Sequence, residues 1–360
     1  MAESEKCKPG RIDGKNAAYH SGEHRIKSHV RHELALIFRQ HLSNCSVRFK
    51  RKIISSSTED KRKTVILGFF SDLFRLKFNI ESVHGLKQKH LKAVFEHLEE
   101  MGQSPATIQN KISIMRQFCE WIGKNGMVSS SHEYVKNPLS VKRTMVVQED
   151  KSWEGHGIDV DAKLAEIRED DKHVAGRLML CYTFGLRIRE SVMLNVYKSD
   201  DGNVLVVMNG TKGGRARYVQ IDHEWQRKAL DEIKTMVNKR TGKLMSRETV
   251  KQALSRTYYI MTKHGLTLAN TGVSAHGLRH QYMQERFKEM TGIEAPIKGG
   301  NLASIERTLF NHSTGKLMER AGHSRLSIGS SYYGSRRRGR QPKQLSLDIG
   351  KHQDSIHQKS

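Results

Sequence analysis

Six side chains scattered between positions 187 and 332 constrain this chain more than any stretch of regular pattern does. Arg187 sits in Gly185-Leu186-Arg187-Ile188-Arg189-Glu190 and Lys212 in Thr211-Lys212-Gly213-Gly214. His276 and Arg279 share His276-Gly277-Leu278-Arg279-His280, and His323 and Tyr332 lie nine residues apart between Ala321 and Gly334. A phenol with an ordinary pKa of about 10 becomes a nucleophile toward a phosphodiester only where cations stabilise the phenolate and the charged transition state. The fold must therefore carry distant cationic segments to one tyrosine.

Read in order as Arg, Lys, His-x-x-Arg, His and Tyr, these segments resemble the catalytic domain of the tyrosine recombinases, the phage integrase family. The resemblance covers the C-terminal half closely and a preceding helical segment more loosely. Each piece alone arises by chance; the ordered set carries the likeness. It implies a mainly α fold with a small β-sheet (α+β), in which a helical SAM-like core-binding domain precedes a mixed α/β catalytic domain. It also implies roles: Arg187 and Arg279 on the non-bridging phosphate oxygens, Glu190 holding Arg187, Lys212 on a hairpin protonating the departing 5′ oxygen, and His276 positioning or deprotonating the nucleophile. His280 reads as structural.

In the family the nucleophile commonly follows the last histidine by nine residues, so His323 points to Tyr332. Adjacent helical side chains diverge by about 100°, which leaves Tyr333 to packing. The activity implied is site-specific DNA strand cleavage and rejoining through a 3′-phosphotyrosine, for integration or excision of a mobile element or phage. The covalent link conserves the phosphodiester's free energy, so no cofactor or metal is expected. The implied partners are double-stranded DNA and a homo-tetramer on two duplexes, compatible with accessory DNA-bending proteins. A tyrosine-type topoisomerase would share the catalytic set. A catalytically idle DNA-binding regulator would account for the charge without accounting for the six residues.

Charge points the same way. The 360 residues contain 62 Lys and Arg against 38 Asp and Glu, a net +24, which calls for a polyanionic partner. A basic protein of the membrane surface is the rival, but no long apolar stretch, lipidation signal or continuous basic amphipathic helix supports it. The N-terminus lacks the apolar core of a signal peptide, which places the chain in the cytoplasm. There Cys7, Cys45, Cys119 and Cys181 read as free thiols. His276 and His280 have the i, i+4 spacing of a zinc pair but lack the intervening acid.

Along the chain, residues 1–59 read as a basic N-terminal extension with one helix through Val30, Leu34, Ile37, Phe38 and Leu42. Its connector runs through Arg48, Lys50, Arg51 and Lys52, Ser55 to Ser57, and Lys61, Arg62 and Lys63. Residues 60–125 read as the helical DNA-binding domain. Ser104 caps a helix with Pro105 at its first position, Ile108, Ile112, Met115, Phe118 and Ile122 mark its apolar face, and Lys111, Arg116 and Lys124 lie off it. Residues 126–158 read as a linker, and 159–340 as the catalytic domain. The latter opens with a helical run from Asp159 to Gly185 and contains strands 204–208 and 215–221, helices 224–239 and 247–263, and an inserted loop from Thr291 to Asn311. After Arg336-Arg337-Arg338-Gly339-Arg340, a polar tail, 341–360, either binds phosphates without sequence preference or docks on a neighbouring protomer.

Overall fold

Most of the longer helices begin at a side chain suited to start them. The computed structural model describes residues 26–43, 54–211 and 214–335; the expectations for Cys7, Cys45, Arg48 to Lys52, Lys212 and the Arg336 to Ser360 tail lie outside those residues. Two compact units, 1–143 and 144–360, each surround their own core.

The first unit packs helices α1 (Ser28–His41), α2 (Ser56–Arg75), α3 (Gln88–Glu100) and α4 (Pro105–Trp121). The Ser104 hydroxyl accepts the Thr107 N–H to start α4, and the buried stripe Ile108, Ile112, Met115 and Phe118 meets Phe70 edge-on at 5.6 Å. Val30, Leu34 and Phe38 of α1 enter the same core, so the segment read as an extension is part of the bundle. The expected connector is also helical from Ser56. Arg62, 7% exposed, donates to the Leu42 carbonyl at 3.3 Å, and its guanidinium lies 5.8 Å from the Trp121 ring. Its aliphatic stem and planar head let a charged residue line an apolar interior.

The open linker expected over 126–158 is instead divided between the two cores. Val128, Tyr134, Val135 and Val141 are buried in the first unit. Arg116 donates to the carbonyls of Val128 and Ser129 at 3.2 and 2.7 Å, and Lys124 donates to that of Leu86 at 2.6 Å. Two of the three off-stripe cations thus fasten chain segments. Trp153 is fully buried in the second unit, its indole N–H donating to the Ser274 carbonyl at 2.9 Å. Isolated apolar residues without a period give no local sign that they will be buried.

In the second unit the helical run from Asp159 is two helices, α5 (Val160–Asp170) and α6 (Lys172–Phe184). The Asp171 carboxylate breaks the run by capping α6, accepting the N–H groups of His173 and Val174 at 3.0 Å. Helices α7 (Ile188–Met193) and α8 (Val196–Ser199) lead into an antiparallel sheet, β1 (Asp200–Asp201), β2 (Val204–Val207) and β3 (Arg217–Gln220), in that order. Helices α9 (Glu224–Met236), α10 (Val250–Lys263), α11 (Ala275–Thr291), α12 (Arg307–Arg320) and α13 (Ser330–Tyr333) follow. The inserted stretch is not an open loop: Ala295, Leu302 and Ile305 are buried, two 3₁₀ turns shape it, and α12 already begins at Arg307.

Because Phe118 is fully buried against Phe70, Phe118→Ala should destabilise the first unit by about 3–5 kcal/mol, measurable as a lower urea midpoint.

Candidate active site

The site starts where α6 stops. Gly185 adopts φ +60°, and a Cβ there would lie 2.4 Å from the Tyr282 ring, so only glycine allows this turn. Two residues later Arg187 opens α7. Glu190, on the first turn, accepts the Arg187 backbone N–H at 2.7 Å and its guanidinium at 2.6 Å. The same carboxylate accepts Arg217 Nη2, from the first residue of β3, at 2.6 Å. Glu190 has no solvent exposure. Burial alone would raise its pKa, but Arg217 and Arg187 outweigh it and hold the carboxyl below its ordinary value.

Three guanidinium groups then meet the C-terminal end of α12. Arg217 Nη1 donates to the Arg320 carbonyl, Arg187 Nη2 to that of Ala321 at 3.3 Å, and Arg279 Nη2 to the same oxygen at 2.6 Å. Helix ends leave such carbonyls without partners and partly negative, so cations are favoured there. The chain reverses at Gly322, φ +68°, where a Cβ would press on Arg217 Cδ at 2.9 Å. His323 follows, its Nε2 3.3 Å from Arg187 Nη2 and 3.1 Å from the Tyr332 hydroxyl.

Hydrogen-bond direction assigns the protons. Arg187 can only donate, so Nε2 of His323 is the ring's lone-pair nitrogen. Arg279 Nε donates to the Tyr332 oxygen at 3.0 Å, and the phenolic hydrogen therefore points to His323. The remaining Arg279 nitrogen, Nη1, donates to the Gly185 carbonyl. Tyr332 is 4% exposed, and Gln284 Nε2 bridges its backbone carbonyl, at 3.3 Å, to Asp150 Oδ1, at 2.9 Å.

Tyr333 turns away. Its ring stacks on Phe287 at 4.5 Å, its hydroxyl donates to Thr314 at 2.9 Å, and burial pushes its pKa up to about 12. A Cβ at position 329 would lie 2.1 Å from that hydroxyl, so Gly329 makes its room. The His280 ring lies 5.0 Å from the Tyr332 ring; burial, aided by Lys151, pulls its pKa down to about 4. His276, one turn earlier, has its ring 6.0 Å from that of Tyr332. Packed protein around the imidazole, then His280, Arg279, Arg187 and Lys151, pull its pKa down to about 3, although the residue as a whole is exposed. Both histidines are neutral near pH 7.

Of the six residues singled out in the sequence, Arg187, His276, Arg279, His323 and Tyr332 meet here, while Lys212 lies outside the described residues. The β2–β3 register sets Val207 opposite Arg217, and Gly210 follows β2. Gly210 runs against α7, with a Cβ position 2.9 Å from the Arg189 carbonyl. Arg217 is not among those six. Its signal was strand alternation, since Arg217 and Val219 face inward and Tyr218 and Gln220 outward. Nothing local marks Gln284 or Asp150. Among the described residues, no group of three His, Cys, Asp or Glu side chains is placed to hold a metal ion.

The family model described as integrase matches residues 154–285, and the one described as phage integrase, N-terminal, matches residues 49–128. A tyrosine recombinase XerC of Chromobacterium violaceum is 25% identical over 252 residues, 65% of this chain and 79% of that protein. Its counterpart in Proteus mirabilis is 24% identical over 240 residues, 61% of this chain and 73% of that protein. A lambda integrase dimer bound to a COC′ core site shares the fold with a TM-score of 0.55 at 14% identity, covering 94% of this chain and 85% of that one. A lambda integrase tetramer bound to a Holliday junction gives 0.54 at 12% identity, covering 93% and 85%.

A histidine held neutral by the fold lowers stability in acid. The unfolded chain binds its proton near the ordinary value of about 6.5, whereas His280 binds it only near 4. Its contribution is therefore intact above about 6.5 and lost as pH falls toward 4. Unfolding followed by denaturant should show a shallower acid loss in His280→Gln across that window, with no change in slope above it.

Proposed function

The chain belongs to the tyrosine recombinase family of phage integrases, and from that premise we propose that it recombines DNA at specific sites for integration or excision of a mobile element or phage. The scissile phosphate sits against Arg187 and Arg279, whose planar forks match its non-bridging oxygens. The Tyr332 oxygen attacks phosphorus as its proton passes to His323 Nε2; neutral His276, on the neighbouring helix face, orients the phenol. The 3′-phosphotyrosyl bond forms as the bond to the 5′ oxygen breaks, and that oxygen takes a proton from Lys212. Rejoining reverses these steps with a 5′ hydroxyl from the partner duplex. Two paired exchanges call for four protomers on two duplexes, in keeping with the lambda integrase tetramer bound to a Holliday junction, and the reaction belongs in the cytoplasm.

The observation that carries this reading is the Tyr332 hydroxyl held between Arg279 and His323 while Tyr333 packs elsewhere. A nicked suicide substrate, which loses the rejoining strand after cleavage, should trap a covalent complex on a denaturing gel. Tyr333→Phe should retain the trapped band and Tyr332→Phe should abolish it; the reverse would exchange the two roles.

In the first unit, a cleft of about 420 Å³ lined by Lys61, Lys111, Arg143, Thr107 and Asn110 offers a basic face to a phosphate backbone. With about six phosphates neutralised, affinity should fall by about three powers of ten between about 50 and about 200 mM salt. Filter-binding titrations with a flat salt response would contradict phosphate tracking.

A further inference from the structure

One fully buried carboxylate, Glu190, lies between two guanidinium groups of unequal exposure. Arg187 keeps 20% of its side chain open, whereas Arg217 keeps 2%. Both hold Glu190 at 2.6 Å. Two cations against one anion leave a surplus positive charge, and its solvent-facing end is Arg187. We propose that Arg217 is a positioning residue for strand cleavage: by sharing the charge of Glu190, it leaves the positive charge of Arg187 uncancelled and able to act on the phosphate. This rests on the reading of Arg187 as a phosphate ligand.

Without Arg217, the buried carboxylate would have Arg187 as its nearest partner. Ion pairing in a poorly solvated interior is strong, so Glu190 would draw that guanidinium inward and cancel its charge. Arg217 also holds the Arg320 carbonyl, one residue before the Ala321 oxygen shared by Arg187 and Arg279. It thus sets the height of the turn from which His323 projects. Gly322 packs on its stem, so the turn and the arginine keep one spacing.

The test compares an ordinary scissile phosphate with a methylphosphonate, which has lost the charge that Arg187 would neutralise. Arg217→Met should keep its fold by circular dichroism and bind DNA within about threefold of the parent. Groups that orient a metal ligand cost about 10–100-fold when removed, and by analogy cleavage of the phosphate should fall by that range. On the methylphosphonate the deficit should shrink to about threefold or less. Glu190→Gln added to Arg217→Met should recover part of the lost rate, because the unshared charge is then gone. Equal losses on both substrates, or a double variant slower than Arg217→Met, would reduce Arg217 to packing and overturn the inference.

Should Arg217→Met unfold, Arg217→Lys preserves the shared charge and should cleave within about fivefold of the parent. A folded Arg217→Lys with a loss of about 100-fold or more would equally overturn it. Arg187→Ala is the control for the underlying reading. If the methylphosphonate does not relieve Arg187→Ala, the phosphate role of Arg187 falls; if it relieves that variant alone, only the proposal for Arg217 falls.

Discussion

The carbonyl oxygens that end α12 organise the second unit. A helix terminus exposes acceptors with no partner inside the helix, and here Arg187, Arg217 and Arg279 supply the partners from the start of α7, from β3 and from α11. Three elements far apart in sequence are pinned to a fourth by donors that cannot be deprotonated. The turn at Gly322 then delivers His323, and the short helix α13 delivers Tyr332, into the space those donors define. The geometry of the tyrosine is a consequence of how a helix end is satisfied.

Such a site holds more positive charge than it can neutralise. Glu190 answers two of the arginines, while Arg279, fully buried, directs its nitrogens to two carbonyls and one phenol. Dipoles and lone pairs compensate it in place of a second carboxylate. Burial and the neighbouring cations also disfavour protonating the adjacent imidazoles, His280 in the interior and His276 at its edge. On the proposed reading, the charge that develops on the phosphate in the transition state would supply the missing negative charge. A site so charged would favour that reacting group over its own unliganded state.

Local signals were read where the physics is local. Ser104 and Pro105 start α4, Gly185 ends α6, and Arg187 stands at the mouth of α7, because caps and left-handed turns depend on a few neighbouring atoms. The break at Asp171 was as local as these, yet the apolar period running across it hid the carboxylate cap. Where burial depended on remote partners, the sequence misled. The serine- and lysine-rich stretch at 55–63 looked like a connector until Trp121 and the Leu42 carbonyl received Arg62. The segment at 126–158 lacks a period because its few apolar residues each fill a separate gap.

The residues alone determined which chemistry is present: a phenol, guanidinium groups and imidazoles in a fixed order. They could not determine which imidazole faces the phenol, because side chains far apart in sequence are not related by any period. Only the tertiary structure placed His323 Nε2 at hydrogen-bond distance from the phenol while the His276 ring, 6.0 Å from that of Tyr332, packs beside it, and turned an ordinary strand residue, Arg217, into the partner of Glu190. The physical reason is directionality. A hydrogen bond is made over about 3 Å and a narrow range of angles, and those quantities exist only once the four segments have met.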